Sequence, residues 1–170
     1  MPSPRLALTP VGLLVRTFNL ALLAHTFATH AYTVKPTYGA SMVPTMAPIG
    51  DAVLIDKTKR RGRGITVGDL VSFDQPFRLD RGVIKRVIGM PGDFVLRDTP
   101  GKGEGMMVQV PQGHCFVAGD NQLHSRDSRI FGPVPLALVR GQVVARVFPF
   151  SSIGWFRNGL QEPVDNWEEE

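Results

Sequence analysis

The sequence predicts a mainly β domain carried behind an N-terminal helix. Three observations lead there. The 170 residues include 18 glycines and 14 prolines, which favour frequent turns and short strands over long helices. After Lys35-Pro36 the apolar runs are short, and turn signals separate them, as in a β-rich sandwich or coiled sheet. Ahead of them Val11 to Val34 is largely apolar, within a first fifty residues that contain no acid. With 43% apolar residues the chain can fill a core, and its length suits one domain plus an appendage.

Residues 1–35 are read as a helical membrane anchor, 36–156 as the folded domain and 157–170 as an acidic C-terminal tail. The stretch from Val11 includes Arg16, Asn19, His25 and His30 and lies near the minimum span of about 20 residues. A single-span anchor is the first reading. An amphipathic helix lying on a membrane or a partner is the alternative, and the nearby charges do not set an orientation. An acid-poor, Arg-bearing start also resembles mitochondrial targeting. No small-residue cleavage site stands out, so the segment is expected to be retained.

The strands follow in order. Ala52 to Asp56 is the first, followed by a basic loop from Lys57 to Gly64 (KTKRRGRG). That loop is a solvated surface by default and a candidate for anionic headgroups. A Gly68-Asp69 turn introduces the strand through Phe73. Gly82 to Ile88 and Phe94 to Leu96 come next. Thr99 to Gly105 (TPGKGEG) reads as a mobile loop tip. Met106 to Val110, Cys115 to Ala118 and Leu138 to Phe148 complete the set.

Charge is unevenly placed. Residues 162–170 hold five acids and no base, so the remainder has nineteen bases against ten acids. A basic body points to nucleic acid or to an anionic membrane surface. No nucleic-acid module accompanies it, so the membrane is preferred and no nucleic-acid partner is expected. The lone Cys115 excludes an internal disulfide and a Cys-based zinc cluster, and it reads as a small core residue. No His, Asp or Glu spacing suggests a metal, and no cofactor is expected.

Lys85 lies in Gly82-Val83-Ile84-Lys85-Arg86-Val87-Ile88-Gly89-Met90-Pro91-Gly92-Asp93. On a strand it shares a face with Val83 and Val87, opposite Ile84, Arg86 and Ile88. An amine between valines is a candidate for burial, which disfavours the ammonium and lowers its pKa. A neutral amine can take a proton from a serine hydroxyl. Taken alone, the segment reads first as a snorkelling structural lysine, and only its companion motifs reverse that order. Ser41 opens Ser41-Met42-Val43-Pro44-Thr45-Met46, with Gly39 and Ala40 leaving room for a substrate backbone. Pro44 restricts Val43 and helps to hold a rigid turn. A third block runs Gly119-Asp120-Asn121-Gln122-Leu123-His124-Ser125-Arg126-Asp127-Ser128-Arg129. By itself it is compatible with a turn and a surface ion pair. His124, near Asp127 and Ser128, also admits a Ser-His-Asp triad.

These three blocks, in this order, resemble the boxes of the type I signal peptidases, membrane-anchored Ser–Lys proteases. The resemblance covers about residues 36 to 156. Within that family the chain resembles the first catalytic subunits of mitochondrial inner membrane proteases. That likeness rests on Met90-Pro91-Gly92-Asp93, on Asp127-Ser128-Arg129 and on the compact length. The resemblance implies a signal-peptidase-like β-rich domain with Ser41 as nucleophile and Lys85 as general base. It implies that Ser125 hydrogen-bonds Lys85, and that an Asp127–Arg129 pair braces the loop. Ser41, Gly39 and Met42 are the candidate oxyanion and substrate-binding residues. Gly39 stands where many bacterial members carry a hydroxyl that helps to hold the oxyanion, so a second donor is unassigned. The pattern needs no histidine, which disfavours the triad.

Implied substrates are precursor proteins bearing sorting presequences. Implied partners are membrane lipid and a related second catalytic subunit. The implied location is the mitochondrial inner membrane, with the catalytic domain in the intermembrane space. A compact bacterial signal peptidase and a catalytically silent scaffold subunit are the alternatives. A basic binding module and a self-cleaving repressor are less well supported.

Overall fold

The computed structural model describes residues 9–98, 105–158 and 160. The TPGKGEG loop tip (apart from its last residue) and nearly all of the acidic tail lie outside the described residues. Helix α1 spans Pro10–His30. Thr9 caps it, its hydroxyl accepting from the Gly12 N–H at 3.1 Å, and proline occupies the first turn, where no N–H partner is needed. None of its residues is buried, and its 21 residues are long and apolar enough to cross a membrane.

Strand β1, Tyr32–Tyr38, begins two residues after the helix ends. The β region therefore starts earlier than the expected boundary at residue 35. Pro36 obscures this strand in the sequence. It is tolerated because β1 is the outermost strand, where a missing N–H breaks no essential ladder. The remaining strands are β2 (Ile49–Asp56), β3 (Leu70–Gln75), β4 (Arg78–Gly89), β5 (Phe94–Leu96), β6 (Met107–Gln109) and β7 (His114–Ala118). After a single helical turn, α2 (Ser128–Phe131), come β8 (Val134–Pro135), β9 (Val139–Phe148) and β10 (Gly154–Trp155). The main sheet runs β1-β2-β9-β3-β4-β7-β8, with β10 on the end of β9, and β5-β6 form a separate ribbon. All the pairings are antiparallel.

Two larger apolar cores lie along this sheet, with a smaller third cluster of Val95, Val110 and Phe116. One gathers Val71, Phe73, Val87, Cys115, Val117 and Val134. The other joins Met42, Met46, Val53, Ile55, Leu70 and Val143. Cys115 is buried in the first, as the sequence suggested, and burial pushes its thiol up to about 12. The second core includes Met42 and Met46, so the segment that carries Ser41 is anchored by its own methionines. The basic loop is more ordered than expected, forming a kinked 3-10 segment over Lys57–Gly62.

Candidate active site

Ser41 sits in a 3-10 turn, Ala40–Met42, between β1 and β2. Gly39 precedes it with φ of 109°, a conformation that side chains other than hydrogen rarely adopt. Its N–H donates to Pro48 O at 2.7 Å, so Gly39 contributes shape and an open approach rather than a free donor. Met42 is packed into the core, although it also lines the groove beside Ser41. Among the described residues no acceptor is found for the Ser41 N–H.

Lys85 comes from the middle of β4, which pairs with β3 on one side and β7 on the other. Its Nζ donates to Ser41 Oγ at 2.5 Å. The side chain is 4% exposed, and burial lowers its pKa from 10.5 to about 8. Asp127 and Asp120 act against that shift, while Arg129 adds a little to it. Desolvation therefore wins over two nearby carboxylates. The simple alternation read from the sequence is incomplete. Arg86 on the opposite face is buried too, because both faces of β4 are covered.

The third block folds beside this pair but not quite as implied. Ser125 Oγ donates to Asp127 Oδ2 at 2.6 Å, and no hydrogen bond joins Ser125 to Lys85. The hydroxyl has one proton, and the buried carboxylate is the stronger acceptor. Asp127 also accepts from the Gly119 N–H at 2.9 Å and from Arg129 Nε and Nη2, each at 2.8 Å. The expected Asp127–Arg129 pair is present, and it is no surface pair, since Asp127 is fully buried. Burial would raise the Asp127 pKa. The bonds from Arg129, Ser125 and the Gly119 N–H overcome it and hold the carboxyl below its usual value. Gly119 is required here. A Cβ would lie 2.2 Å from Ser125 Oγ and 2.5 Å from Ser41 O.

Several bracing residues escaped the sequence reading. Asp120 takes Arg86 Nε and Nη2 at 2.9 and 2.8 Å and accepts from Thr45 Oγ1 at 2.5 Å. Asn121 donates its N–H to Ser41 O and its side-chain amide to Ala40 O, both at 3.0 Å. Buried Asp51 accepts from the Ala47 N–H and pairs with Arg146, which also donates to Thr45 O. The Ser41 loop is thus tied to the Asp120 loop on one side and to β9 on the other. His124 is exposed at the groove, with its ring near Asn121 Oδ1, and takes no part in a triad.

The groove beside Ser41 is lined by Pro36 to Tyr38 from β1, by Gly39 just after it and by Gly82 to Lys85 from β4, with His124 and Arg126 also bordering it. A hydroxyl against a buried amine, beside an unpaired strand edge, is an arrangement that suits a serine peptidase. Comparisons with known proteins agree. The family described as signal peptidase, peptidase S26, matches residues 8–101 and 97–148, and this chain belongs to that family. It is 39% identical over 145 residues to mitochondrial inner membrane protease subunit 1 of Schizosaccharomyces pombe, covering 85% of this chain and 90% of that one. It is also 39% identical over 139 residues to mitochondrial inner membrane protease subunit 2 of Danio rerio, covering 76% and 73%. A signal peptidase I structure from Enterococcus faecalis V583 is 27% identical with a TM-score of 0.39, covering 46% of this chain and 96% of that one.

Proposed function

We propose that this chain is a catalytic subunit of a membrane-anchored endopeptidase that removes sorting presequences from proteins delivered to the mitochondrial intermembrane space. The observation that carries this reading is the 2.5 Å approach of Lys85 Nζ to Ser41 Oγ beside an open groove. Neutral Lys85 accepts the Ser41 proton, and Ser41 Oγ attacks the scissile carbonyl to form an acyl-enzyme. The proton passes from Lys85 to the leaving amine. Lys85 then takes a proton from water, whose oxygen attacks the ester; as the ester C–O bond breaks, Lys85 returns the proton to Ser41 Oγ, restoring both groups. The Ser41 N–H stabilises the tetrahedral oxygen. The substrate lies extended along the free edge of β1, so main-chain hydrogen bonds supply binding.

In this reading α1 spans the inner membrane and the catalytic domain faces the intermembrane space. The names of the relatives, numbered as subunits, support assembly with a related second catalytic subunit. The test is cleavage of membrane-bound precursor peptides by wild type, Ser41→Ala and Lys85→Met, with and without that second subunit. Loss of about 10⁴-fold in Ser41→Ala and at least 10²-fold in Lys85→Met, with folding intact, supports the dyad. Unchanged cleavage in either variant contradicts it.

A further inference from the structure

We infer that residues 57–63 form a docking surface for anionic lipid headgroups, seating the domain against the membrane at the foot of α1. This rests on reading α1 as the membrane span. The first support is position. The register Tyr32↔Asp56 brings the end of β2 beside the start of β1, just past the helix. The Lys57 N–H then donates to Ala31 O at 2.7 Å, and its Nζ donates to Ala28 O and Thr29 O at 3.0 and 3.2 Å. Lys57 thereby satisfies carbonyls that the last helical turn leaves open, and it ties the basic segment to the helix end. A helix of 21 residues is about 31 Å long, against about 30 Å of hydrocarbon. Its final turn, with the segment bonded to it, lies at headgroup depth.

The second support is charge. Residues 57–63 hold Lys57, Lys59, Arg60, Arg61 and Arg63 and no acid. Lys57 and Lys59 turn inward to backbone carbonyls. Arg60, Arg61 and Arg63 are exposed, with no carboxylate partner among the described residues. The neighbouring Asp56 and Asp69 accept from Thr58 and Thr66 instead. The third support is shape. Arg61 has φ of 58°, and Gly62 lies so close to Leu136 that a Cβ would approach it to 2.8 Å. The segment is therefore packed against the body, and its guanidinium groups are offered by a fixed turn. A guanidinium fork matches a phosphate diester, and each such cation strengthens attachment to an anionic surface by about fivefold.

The test uses the full chain, labelled with a fluorophore at Thr58→Cys and reconstituted in vesicles containing a headgroup-quencher lipid. Buried Cys115, with its raised thiol pKa, leaves the new thiol as the reactive one. Vesicles of phosphatidylcholine alone are compared with vesicles containing phosphatidylglycerol. The prediction is several-fold stronger quenching in the anionic vesicles, abolished by high salt and by the triple variant Arg60→Gln, Arg61→Asn, Arg63→Gln. Quenching that ignores lipid charge, or that survives in the triple variant, overturns the proposal. So does protection of the label by soluble polyglutamate but not by lipid, which assigns the segment to an acidic protein. Carbonate extraction separates the two readings. A chain that resists extraction yet shows no charge-dependent quenching retains its anchor and loses the headgroup seat. A chain that is extracted loses the anchor reading, and the seat with it.

Discussion

Asp120 grips Arg86 with both carboxylate oxygens, joining the loop after β7 to the strand that carries Lys85. The same carboxylate holds Thr45, four residues beyond Ser41. One side chain therefore connects the segments that carry Ser41 and Lys85. Asp120→Asn is expected to lower kcat by about 10- to 100-fold with little change in KM, since a misplacement of about 1 Å has effects of that order. It also leaves Arg86 without its counter-charge, a loss of about 2–4 kcal/mol in denaturant unfolding.

Gly119→Ala tests the close approach of two loops. Its Cβ would overlap Ser125 Oγ and Ser41 O, so one loop must move. Activity is expected to fall by at least 10²-fold, with about 1–3 kcal/mol of stability lost. Gly154→Ala, which meets nothing within 4 Å, serves as the control and stays within about 0.5 kcal/mol of wild type.

Asp127 links stability to acid and Lys85 to its surroundings. Its carboxyl is held below the usual range, so its contribution is complete above the unfolded value of 3.8 and lost as pH falls through the depressed value. Asp127→Asn should flatten the acid side of the stability profile. Because Asp127 raises the Lys85 pKa, any residual activity of that variant should have its acid limb shifted to lower pH. An unmoved limb would show that the two groups do not interact.

Lys85 has the opposite linkage. Its folded pKa of about 8 lies below the unfolded 10.5, so between these values the unfolded chain binds more protons and stability rises with pH. The rise amounts to about 3 kcal/mol. Lys85→Met should be more stable than wild type at pH 7, and the difference should shrink toward pH 10.5. Paired urea titrations across that range check it.

Much of the candidate site is legible because its residues are concentrated in short segments. Ser41, Lys85 and the Asp127–Arg129 pair could be named from their local frames, and so could most strands. The missing parts depend on contacts across the sheet. Asp120 and Arg86 are 34 residues apart, and nothing local marks them as partners. Asp51 and Arg146 are farther apart still. Strand β1 was hidden by Pro36 and by the apolar residues that run on from the helix. The bond from Ser125 to Asp127 is not legible in the sequence, because it becomes decisive only once both groups are buried.

The most direct test of the central claim is the pH dependence of kcat/KM for presequence cleavage by the reconstituted chain. With Lys85 as base, cleavage requires the neutral amine, about a tenth of the molecules at pH 7 for a pKa of about 8. The predicted profile rises with unit slope to about pH 8 and levels off, gaining about tenfold between pH 7 and 9. Lys85→Met should abolish the rise together with the activity. A flat profile from pH 6 to 9, or an acid limb that persists in Lys85→Met, would contradict the account.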